Sequence, residues 1–332
     1  MIHHSEEISM KPFSRVLLLF VVVLCLQSLS FGWGCTGHQI VALIAERQLT
    51  PAAASAVQAL LKDADLYNGL RRFCANTDLG LMASFASWAD DYREKDKSTG
   101  PWHFWDIPLN DLTRPQASEF CDQGCVTKAI QDQIKVLKSD AAKPEKARAL
   151  VFLIHFVGDL HEPLHVVSNN DRGGNCVPVA FFGRNPVQRD PSSGNFSPNL
   201  HGVWDTDLLE KIGVIRKQTH DDDVVQFVDS IMSDYEDQIP EWSQQEVDVM
   251  DWALESFHHA RVSAYGKLPH RIKAEAPVNV DTCNDANHIS QRMQALHESI
   301  NKKYLNAVAP VIQEQLAKAG TRLAVILNQT LQ

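Results

Sequence analysis

The segment ARALVFLIHFVGDLHEPLH, residues 147–165, places three histidines and two acidic residues inside a mostly apolar run. The run of apolar residues predicts a buried helix. Pro163 is expected to end that helix, because proline has no N–H to donate and clashes with the preceding turn. His155 and Asp159 are four residues apart and therefore share one face. Titratable side chains on a buried face indicate a site, because buried charges persist only when they are paired or coordinated.

The residues around the end of this helix extend the same group. His165 lies on the turn that leaves the helix and can swing back toward His155 and Asp159. Glu162 is seven residues after His155 and shares its face, where it is expected to support the other side chains. His161 points elsewhere. The pattern HxxxDxxxxxH therefore collects imidazole and carboxylate groups at one end of the helix.

Most of the chain has helical periodicity. The segments with apolar residues at three- and four-residue spacing are 36–49, 51–63, 81–93, 126–138, 144–160, 246–266 and 304–329. The stretch CVPVAFFG, residues 176–183, favours a strand in a short β-hairpin, and the polar segment from Gly183 to Asn199 is expected to be a surface loop. The predicted fold class is mainly α, a single compact helical domain with at most a short β-hairpin.

The first 32 residues are expected to be a signal peptide. Two basic residues precede the apolar run VLLLFVVVLCLQSL, and Ser30 and Gly32 supply small residues at positions −3 and −1 of a cleavage site before Trp33. The run is short for a membrane span, and no later stretch approaches the ~20 apolar residues that a spanning helix needs. Residues 33–332 are therefore expected to form one domain that is secreted or periplasmic.

The composition restricts the partners and the compartment. The formal net charge is −10, and the leader carries two basic and two acidic side chains, so the mature chain keeps that value. A chain with a negative net charge does not favour binding to the phosphate backbone of nucleic acid, unless bound metal ions make the local charge positive. Seven cysteines occur, one in the leader, and the other six favour disulfides in an exported chain. Cys121 and Cys125 either close a small loop or, as the alternative, bind zinc.

A second His/Asp pair has the same spacing as the first. In HGVWD, His201 and Asp205 are four residues apart. An imidazole and a carboxylate at this spacing can bind one metal ion from a single helix turn, and these ligands suit zinc. Either pair alone is a weak signal, because the spacing is common by chance. Two such pairs in apolar surroundings are a stronger one.

Two further segments supply the same ligand types. SWADDYR offers Asp90 on an apolar helix face, and PWHFWDIP offers His103 among aromatic residues. Taken singly, Asp90 fits a solvated acidic face with Arg93 as its partner, and His103 fits a core histidine bonded to a backbone carbonyl. Together with WGCTGH, which begins at Trp33, they are too many to be a coincidence.

The order of these motifs resembles a known enzyme family. WGxxGH, WAD, WHF with an aspartate three residues after its histidine, HxxxDxxxxxH, GGN and HxxxD follow one another from Trp33 to Asp205. This pattern resembles the zinc-dependent, single-strand-specific class I nucleases of fungi and plants, which are related in fold to bacterial zinc phospholipase C. The region after Asp205 agrees in helical character and carries no motif.

The resemblance implies three zinc ions. One would be held by Asp90, His103 and His155, a second by His38 with the free amine and carbonyl of Trp33, with Asp159 bridging these two, and the third by His165, His201 and Asp205. Each site combines nitrogen and oxygen donors and leaves a position open for water or substrate. A free amine at Trp33 requires removal of the leader, because an amide nitrogen cannot coordinate.

The resemblance also implies the chemistry. Paired metal ions lower the pKa of a shared water, and a further ion neutralises charge on the phosphate, so no protein nucleophile is needed. The catalytic set would be Asp90, Arg93 and Asp159. Single-stranded DNA, RNA and 3′-nucleotides would be cut to products that carry a 5′-phosphate. The protein is expected to act as a monomer.

Four residues match family positions that contact the substrate. Arg93 would stabilise the pentacovalent phosphate with its planar donors. Phe104 would stack on a base, with core packing as the alternative, and Asp106 would accept from the base edge. A base must already be out of its duplex to stack, which would explain a preference for single strands. Asn175 in DRGGN would touch substrate or brace a zinc ligand, with an ordinary turn as the alternative; the two glycines there let the backbone approach a ligand closely.

Two other functions remain as alternatives. A zinc phospholipase C on the same scaffold usually has glutamate at the position of Asp205 and a longer gap between the first Trp and His, so both features favour the nuclease. A noncatalytic zinc-binding or structural helical protein would not need Arg93, Phe104 and Asp106 where they are.

The chain departs from the family pattern at three positions. Glu162 stands where glutamine is common, and a carboxylate there would raise metal affinity or face solvent. Cys35 and Cys176 are also atypical, and a disulfide between them would tie the N-terminus to the DRGGN loop.

Overall fold

Helices account for most of the regular elements, as the periodicity predicts. The structure, a computed structural model, describes residues 33–62, 64, 66, 77–116, 119–276, 278, 280–284 and 289–332. The predicted leader lies outside these residues. The α-helices within them are α1 (Cys35–Glu46), α2 (Pro51–Leu61), α3 (Leu81–Phe85), α4 (Trp88–Lys95), α5 (Val126–Lys138), α6 (Lys143–Leu160), α7 (Leu200–Gly202), α8 (Leu209–Ile212), α9 (His220–Asp234), α10 (Ile239–Ser243), α11 (Val249–His259), α12 (Ile289–Leu296) and α13 (Lys302–Thr330).

Helix α6 lies at the centre of the core. Every residue of α6 from Ala149 to Leu160 is buried, which explains why apolar side chains occupy all of its faces. Helices α1, α5 and α13 pack against it. The helix ends at Leu160, and Pro163 opens a short 3₁₀ turn, Pro163–Val166. The predicted end of the helix before this proline is confirmed, and His165 lies on the turn that follows.

The segment predicted as one helix over residues 81–93 is two helices, α3 and α4, separated by Ala86 and Ser87. The interruption has a structural use. The backbone carbonyl of Ala86 lies 2.8 Å from Nδ1 of His155 and accepts a hydrogen bond from it. A carbonyl inside a continuous helix would instead accept from the N–H four residues later.

The strands are short, in keeping with a mainly α fold. Strand β1 (Ala180–Phe181) pairs in parallel with β4 (Ser299–Ile300), and β2 (Val187–Asp190) pairs antiparallel with β3 (Asn195–Ser197). The stretch CVPVAFFG supplies only β1 and forms no hairpin with the next strand. The hairpin β2–β3 lies instead within the polar segment that was expected to be a loop.

Two disulfides lie among the described residues. Cys121 pairs with Cys125, which confirms the small loop and rules out a zinc site at that pair. Cys176 pairs with Cys283, so the predicted Cys35–Cys176 bond is wrong. The DRGGN loop is therefore tied to the segment around Cys283 rather than to the N-terminus. Within the described part of the chain, no helix combines the length and the apolar character that crossing a membrane requires.

Candidate metal centre

The eight predicted side-chain ligands meet at the end of α6. They come from α1, α4, the 3₁₀ turn Lys97–His103, α6, the turn Pro163–Val166, α7 and the π-helical turn Val203–Leu208 that continues α7. All of them are buried: His38, Asp90, His103, His155, Asp159, His165, His201 and Asp205. The sequence therefore identified side chains that the fold brings together from six separate segments.

Three groups of donor atoms in this region are close enough to hold a metal ion. One contains His38, Asp90 and His155, the next His103, His155 and Asp159, and the third Glu162, His165, His201 and Asp205. The first two groups share His155 and are therefore contiguous. The third matches one predicted site with Glu162 added.

Asp159 lies between histidines from three segments. Its Oδ2 is 3.0 Å from Nδ1 of His103 and 3.2 Å from Nε2 of His155, and its Oδ1 is 3.3 Å from Nε2 of His38. Burial alone would raise the pKa of Asp159, but His155 and hydrogen bonds from the surrounding imidazoles hold it well below the usual range. A carboxylate with an oxygen toward each of two groups has the placement needed to bridge them.

Asp90 faces the same cluster from α4. Its Oδ1 lies 3.6 Å from Nε2 of His155, 3.7 Å from Nδ1 of His103 and 3.5 Å from Nη2 of Arg93. Burial raises the pKa of Asp90 to about 6, although His155 and Arg93 oppose the rise. Arg93 is therefore beside the cluster, where the sequence places it.

Backbone carbonyls orient the histidines. Nδ1 of His155 donates to Ala86, Nδ1 of His165 to the carbonyl of His103 at 2.7 Å, and Nδ1 of His201 to the carbonyl of Gly173 at 2.6 Å. A hydrogen bond from one ring nitrogen leaves the other as the donor to a metal. The two Nε2 atoms of His165 and His201 accordingly face each other at 3.1 Å.

Two glycines allow the close approaches on which this arrangement depends. A Cβ at Gly158 would lie 2.7 Å from Nδ1 of His38, so only glycine lets α1 place that ring against α6. Gly173 has a φ of +60°, and a Cβ there would lie 2.3 Å from the carbonyl oxygen of Leu164. The carbonyl of Gly173 accepts a hydrogen bond from His201, while the approach of the DRGGN backbone to a ligand stays a prediction.

The donor spacing fits zinc. Donors on a tetrahedral zinc with bonds of 2.0–2.2 Å are separated by about 3.3–3.6 Å. The contacts between donor atoms in the two contiguous groups run from 3.0 to 3.7 Å, and Nε2 of His201 lies 3.4 Å from Oδ2 of Asp205. Several of these buried atoms have no hydrogen-bond partner among the described residues: both ring nitrogens of His38, Nε2 of His103, and one oxygen each of Asp90, Asp159 and Asp205. Unsatisfied buried donors and acceptors are rare, and bound cations would satisfy the acceptors.

The protonation states also suit cation binding. Burial and the neighbouring His155 lower the pKa of His38 to about 4, and burial lowers that of His103 to about 3. Both rings are therefore neutral at physiological pH, which is the form that coordinates. Asp159 and Asp90 outweigh burial at His155 and raise its pKa to about 9, so a bound cation would displace a proton there.

Trp33 precedes a residue whose backbone is bonded to the segment of the third group. Its side chain is buried, and the N–H of Gly34 donates to the carbonyl of Asp205 at 2.8 Å. This bond fixes the backbone next to Trp33 against the segment that carries His201 and Asp205. The role of the Trp33 amine as a ligand stays a prediction.

The predicted substrate residues lie on segments next to the cluster. Phe104 follows His103 directly and is half-buried. Asp106 is accessible to solvent but surrounded by protein on most sides, and this partial desolvation together with Asp171 raises its pKa to about 6. Nδ2 of Asn175 donates to the carbonyl of Arg172 at 2.7 Å. This contact within the loop is the one expected of an ordinary turn.

A sequence profile of S1/P1 nuclease matches residues 33–332. The chain belongs to the S1/P1 nuclease family. Nuclease S1 of Aspergillus oryzae is 26% identical to it over 328 residues, which cover 95% of this chain and 97% of that protein. Endonuclease 2 of Arabidopsis thaliana is 26% identical over 308 residues, 90% of each chain. Nuclease P1 of Penicillium citrinum is 33% identical over 188 residues, 54% of this chain and 59% of its own.

Membership in the S1/P1 nuclease family confirms the predicted enzyme class, a hydrolase that cleaves phosphodiesters of nucleic acid. It also confirms the resemblance drawn from the motif order. The disulfides and the buried His/Asp clusters agree with a metal-binding protein of an oxidising compartment.

Two residues near this S1/P1 nuclease site were not identified as direct participants from the sequence. Glu162 was expected to support the ligands, and either to raise metal affinity or to face solvent; it is buried and is a member of the third donor group. Arg172 lies close enough to Asp106 and Arg93 to affect their electrostatics, and burial lowers its own pKa. Its φ of +56° gave no signal in the sequence, because only glycine announces such a backbone position reliably.

Proposed function

We propose that this S1/P1 nuclease is a secreted or periplasmic zinc enzyme that cuts single-stranded DNA, RNA and 3′-nucleotides to 5′-phosphate products. Residues 1–32 are removed, and residues 33–332 act as one domain in a monomer. The observation that carries the proposal is the convergence of eight buried donors at zinc-like spacing beside Arg93 and Phe104.

Three zinc ions fit the residues present. Asp90, His103 and His155 would hold one, His38 and the amine and carbonyl of Trp33 a second, with Asp159 shared between them, and His165, His201 and Asp205 the third. Bound zinc supplies an activated water at neutral pH and neutralises charge on the phosphate and the departing oxygen. The buried carboxylates make the cluster negatively charged, and this charge favours the binding of divalent cations over the binding of a phosphate without metal.

The protein's own groups orient the reacting phosphate. Arg93 is 7% exposed and fixed by its contact with Asp90, so its guanidinium is held in place before substrate binds. Its planar donors can contact two phosphate oxygens and stabilise the charge that develops there. No serine or cysteine of the sequence lies in a nucleophile motif, and none is needed.

Phe104 and Asp106 account for the choice of substrate. A half-buried ring next to the metal ligand His103 offers one face to a base, and stacking tolerates any base. At a pH above its pKa, the carboxyl group of Asp106 is ionised and can accept hydrogen bonds from the amino or imino groups of the base edge. A base inside a duplex can make neither contact, so single strands are favoured.

The test compares two purified forms, one that begins at Trp33 and one with a single alanine added before it. Both are given single-stranded DNA, and in parallel phosphatidylcholine, with zinc present. We expect the first form to release 5′-mononucleotides and to leave the lipid intact, and the second to be strongly impaired on DNA. A form that cleaves lipid instead would support the phospholipase alternative. Equal cleavage of DNA by both forms would show that the Trp33 amine is not a ligand.

A further inference from the structure

Glu162 lies in a buried pocket of metal-binding side chains at the end of α6. Its carboxylate, the imidazoles of His165 and His201, and the carboxylate of Asp205 each offer a ligand atom, and these atoms all lie within 4.8 Å of one another. Glu162 is fully buried. The side chain therefore faces the same point as three residues that are predicted to share one zinc ion.

The protein provides no counter-charge for this carboxylate. Among the described residues, Glu162 forms no ion pair, and neither of its oxygens has a hydrogen-bond partner. The backbone N–H groups of Leu164 and His165 are near enough to influence it but do not make hydrogen bonds of normal geometry. A second carboxylate, Asp159, lies close to it. A buried, unpaired carboxylate beside other carboxylates is costly unless a cation binds there.

We propose that Glu162 is a direct metal ligand, the fourth protein side chain of the site formed by His165, His201 and Asp205. The inference rests on the proposed zinc enzyme and goes beyond it. With Glu162 and Asp205 the site supplies two carboxylates that no other ion shares, and four protein donors complete the set that zinc takes at structural positions. The other two ions would share the carboxylate of Asp159, so the ion at this site is expected to be the last to be lost.

The test measures zinc retention rather than activity. The protein that begins at Trp33 is loaded with zinc, dialysed against graded concentrations of a chelator, and analysed for zinc by mass spectrometry. Wild type is expected to keep one equivalent after the other two have left. Glu162→Gln preserves the size of the side chain and is expected to bind that zinc ion more weakly. The free zinc concentration at which the ion dissociates should be about 10- to 100-fold higher than in wild type. Glu298→Gln is the matched control, because Glu298 is also buried but is held by His270.

Thermal unfolding gives a second readout. Without metal, Glu162→Gln is expected to melt no lower than wild type, because the wild-type carboxyl must be either buried without a partner or protonated there. With zinc, its melting temperature should rise less than that of wild type. A glutamate with a purely structural role would lower stability in both conditions when replaced.

The outcomes separate this inference from the proposed function. If wild type retains three zinc ions and Glu162→Gln releases them at the same chelator concentrations, Glu162 is not a ligand and the zinc nuclease stands. If wild type binds no zinc, both proposals fall. Should the variant not fold, anomalous diffraction at the zinc edge on wild type decides: a Glu162 oxygen at about 2.0–2.2 Å from a zinc peak supports the inference, and one beyond bonding distance overturns it.

Discussion

Two groups of buried polar side chains flank the end of α6, and they are satisfied in different ways. The ligand cluster contains the eight predicted metal ligands and Glu162. The arginine network contains His161, Glu255, Lys318 and Arg322: Nη1 of Arg322 donates to Nε2 of His161 at 2.9 Å, Nη2 lies 2.8 Å from Glu255, and Lys318 contacts Glu255 as well. In the arginine network the protein supplies both partners of each ion pair. In the ligand cluster several potential metal-ligand atoms face one another.

His155 and His161, six residues apart, show the difference. Asp159 and Asp90 outweigh burial at His155 and raise its pKa to about 9, while burial and Arg322 lower that of His161 to about 3. His161 also donates through Nδ1 to the carbonyl of Val157 at 2.7 Å, so both of its nitrogens are satisfied. Burial of a histidine therefore does not indicate a metal ligand by itself. The decisive feature is a set of donors that the protein leaves incomplete.

Replacement of Asp159 should have the largest effect, because this residue contacts both contiguous donor groups. We expect Asp159→Asn to lose about two of the three zinc equivalents. It should cleave single-stranded DNA on the order of a thousandfold more slowly, because a metal pair lowers the activation barrier by several kcal/mol. Zinc content and initial rates on the same preparation measure both effects.

Asp223→Asn is the matched control for that variant. Asp223 is a buried aspartate whose carboxylate is paired with Arg216, outside the cluster. Its replacement should leave zinc content and rate unchanged. An Asp159→Asn protein that keeps three zinc ions and full activity would remove the distinction between the cluster and the network.

The arginine network should respond in the opposite way. Arg322→Leu removes one of the two cations that pair with Glu255 and the hydrogen-bond donor to Nε2 of His161, which we expect to lower the free energy of unfolding by about 2 kcal/mol. The zinc content and the rate per folded molecule should not change. Urea unfolding measures the first effect, with Arg114→Leu as the control for an exposed pair, where the loss should be under about 1 kcal/mol. A large loss of zinc in Arg322→Leu would show that the network also supports the ligands.

A smaller effect is expected at Phe104, which directly follows the predicted ligand His103. Phe104→Ala should raise the KM for single-stranded DNA by about 10- to 100-fold, which corresponds to the roughly 1–3 kcal/mol that a stacked base contributes. Zinc content should be that of wild type, since the ring is not a ligand. Phe182→Ala, at another partly exposed phenylalanine, serves as the control. An unchanged KM would favour core packing as the role of Phe104.

The smallest effect is a pH dependence at Asp106. Its pKa is raised to about 6, so the carboxylate is ionised above that value and loses its acceptor character as the pH falls below it. We expect the KM of wild type to be level above pH 7 and to rise severalfold between pH 6 and pH 5, a change within the tenfold per pH unit that one titrating group allows. Asp106→Asn should show no such rise at saturating zinc. Identical pH profiles would exclude Asp106 from base recognition.

The helices were predictable because their signal is local. Apolar spacing alone gave α5 with the bounds that the structure has. Helix α9 was missed although its buried residues Val224, Phe227, Val228 and Ile231 have helical spacing, since the acidic residues among them obscured the pattern. The break between α3 and α4 exposes a carbonyl that is bonded to His155, which is distant in sequence, and the turn of the hairpin β2–β3 is held by Asn284. Local periodicity carries no information about such contacts.

The convergence of the predicted metal ligands could be inferred from side chains whose types and order are specific. The groups that orient them were not, because the carbonyls of Ala86, His103 and Gly173 belong to the backbone and have no residue signature. The pairing of Cys176 with Cys283 joins residues 107 positions apart, and cysteine counts do not determine connectivity. The position of Glu162 among the ligands follows from how the turn after α6 folds.

The contact of Gly158 with His38 has a consequence for the choice of ion. His38 lies flat on His155, with ring centroids 3.8 Å apart, and its Nδ1 edge lies against the backbone of α6 at Gly158. These two contacts limit the movement of the ring, so the ligand set has little freedom to expand around a larger ion. We therefore expect cobalt, an ion that also accepts imidazole ligands, to substitute for zinc. Calcium requires six to eight oxygen ligands at about 2.3–2.6 Å and should be rejected even at millimolar concentration.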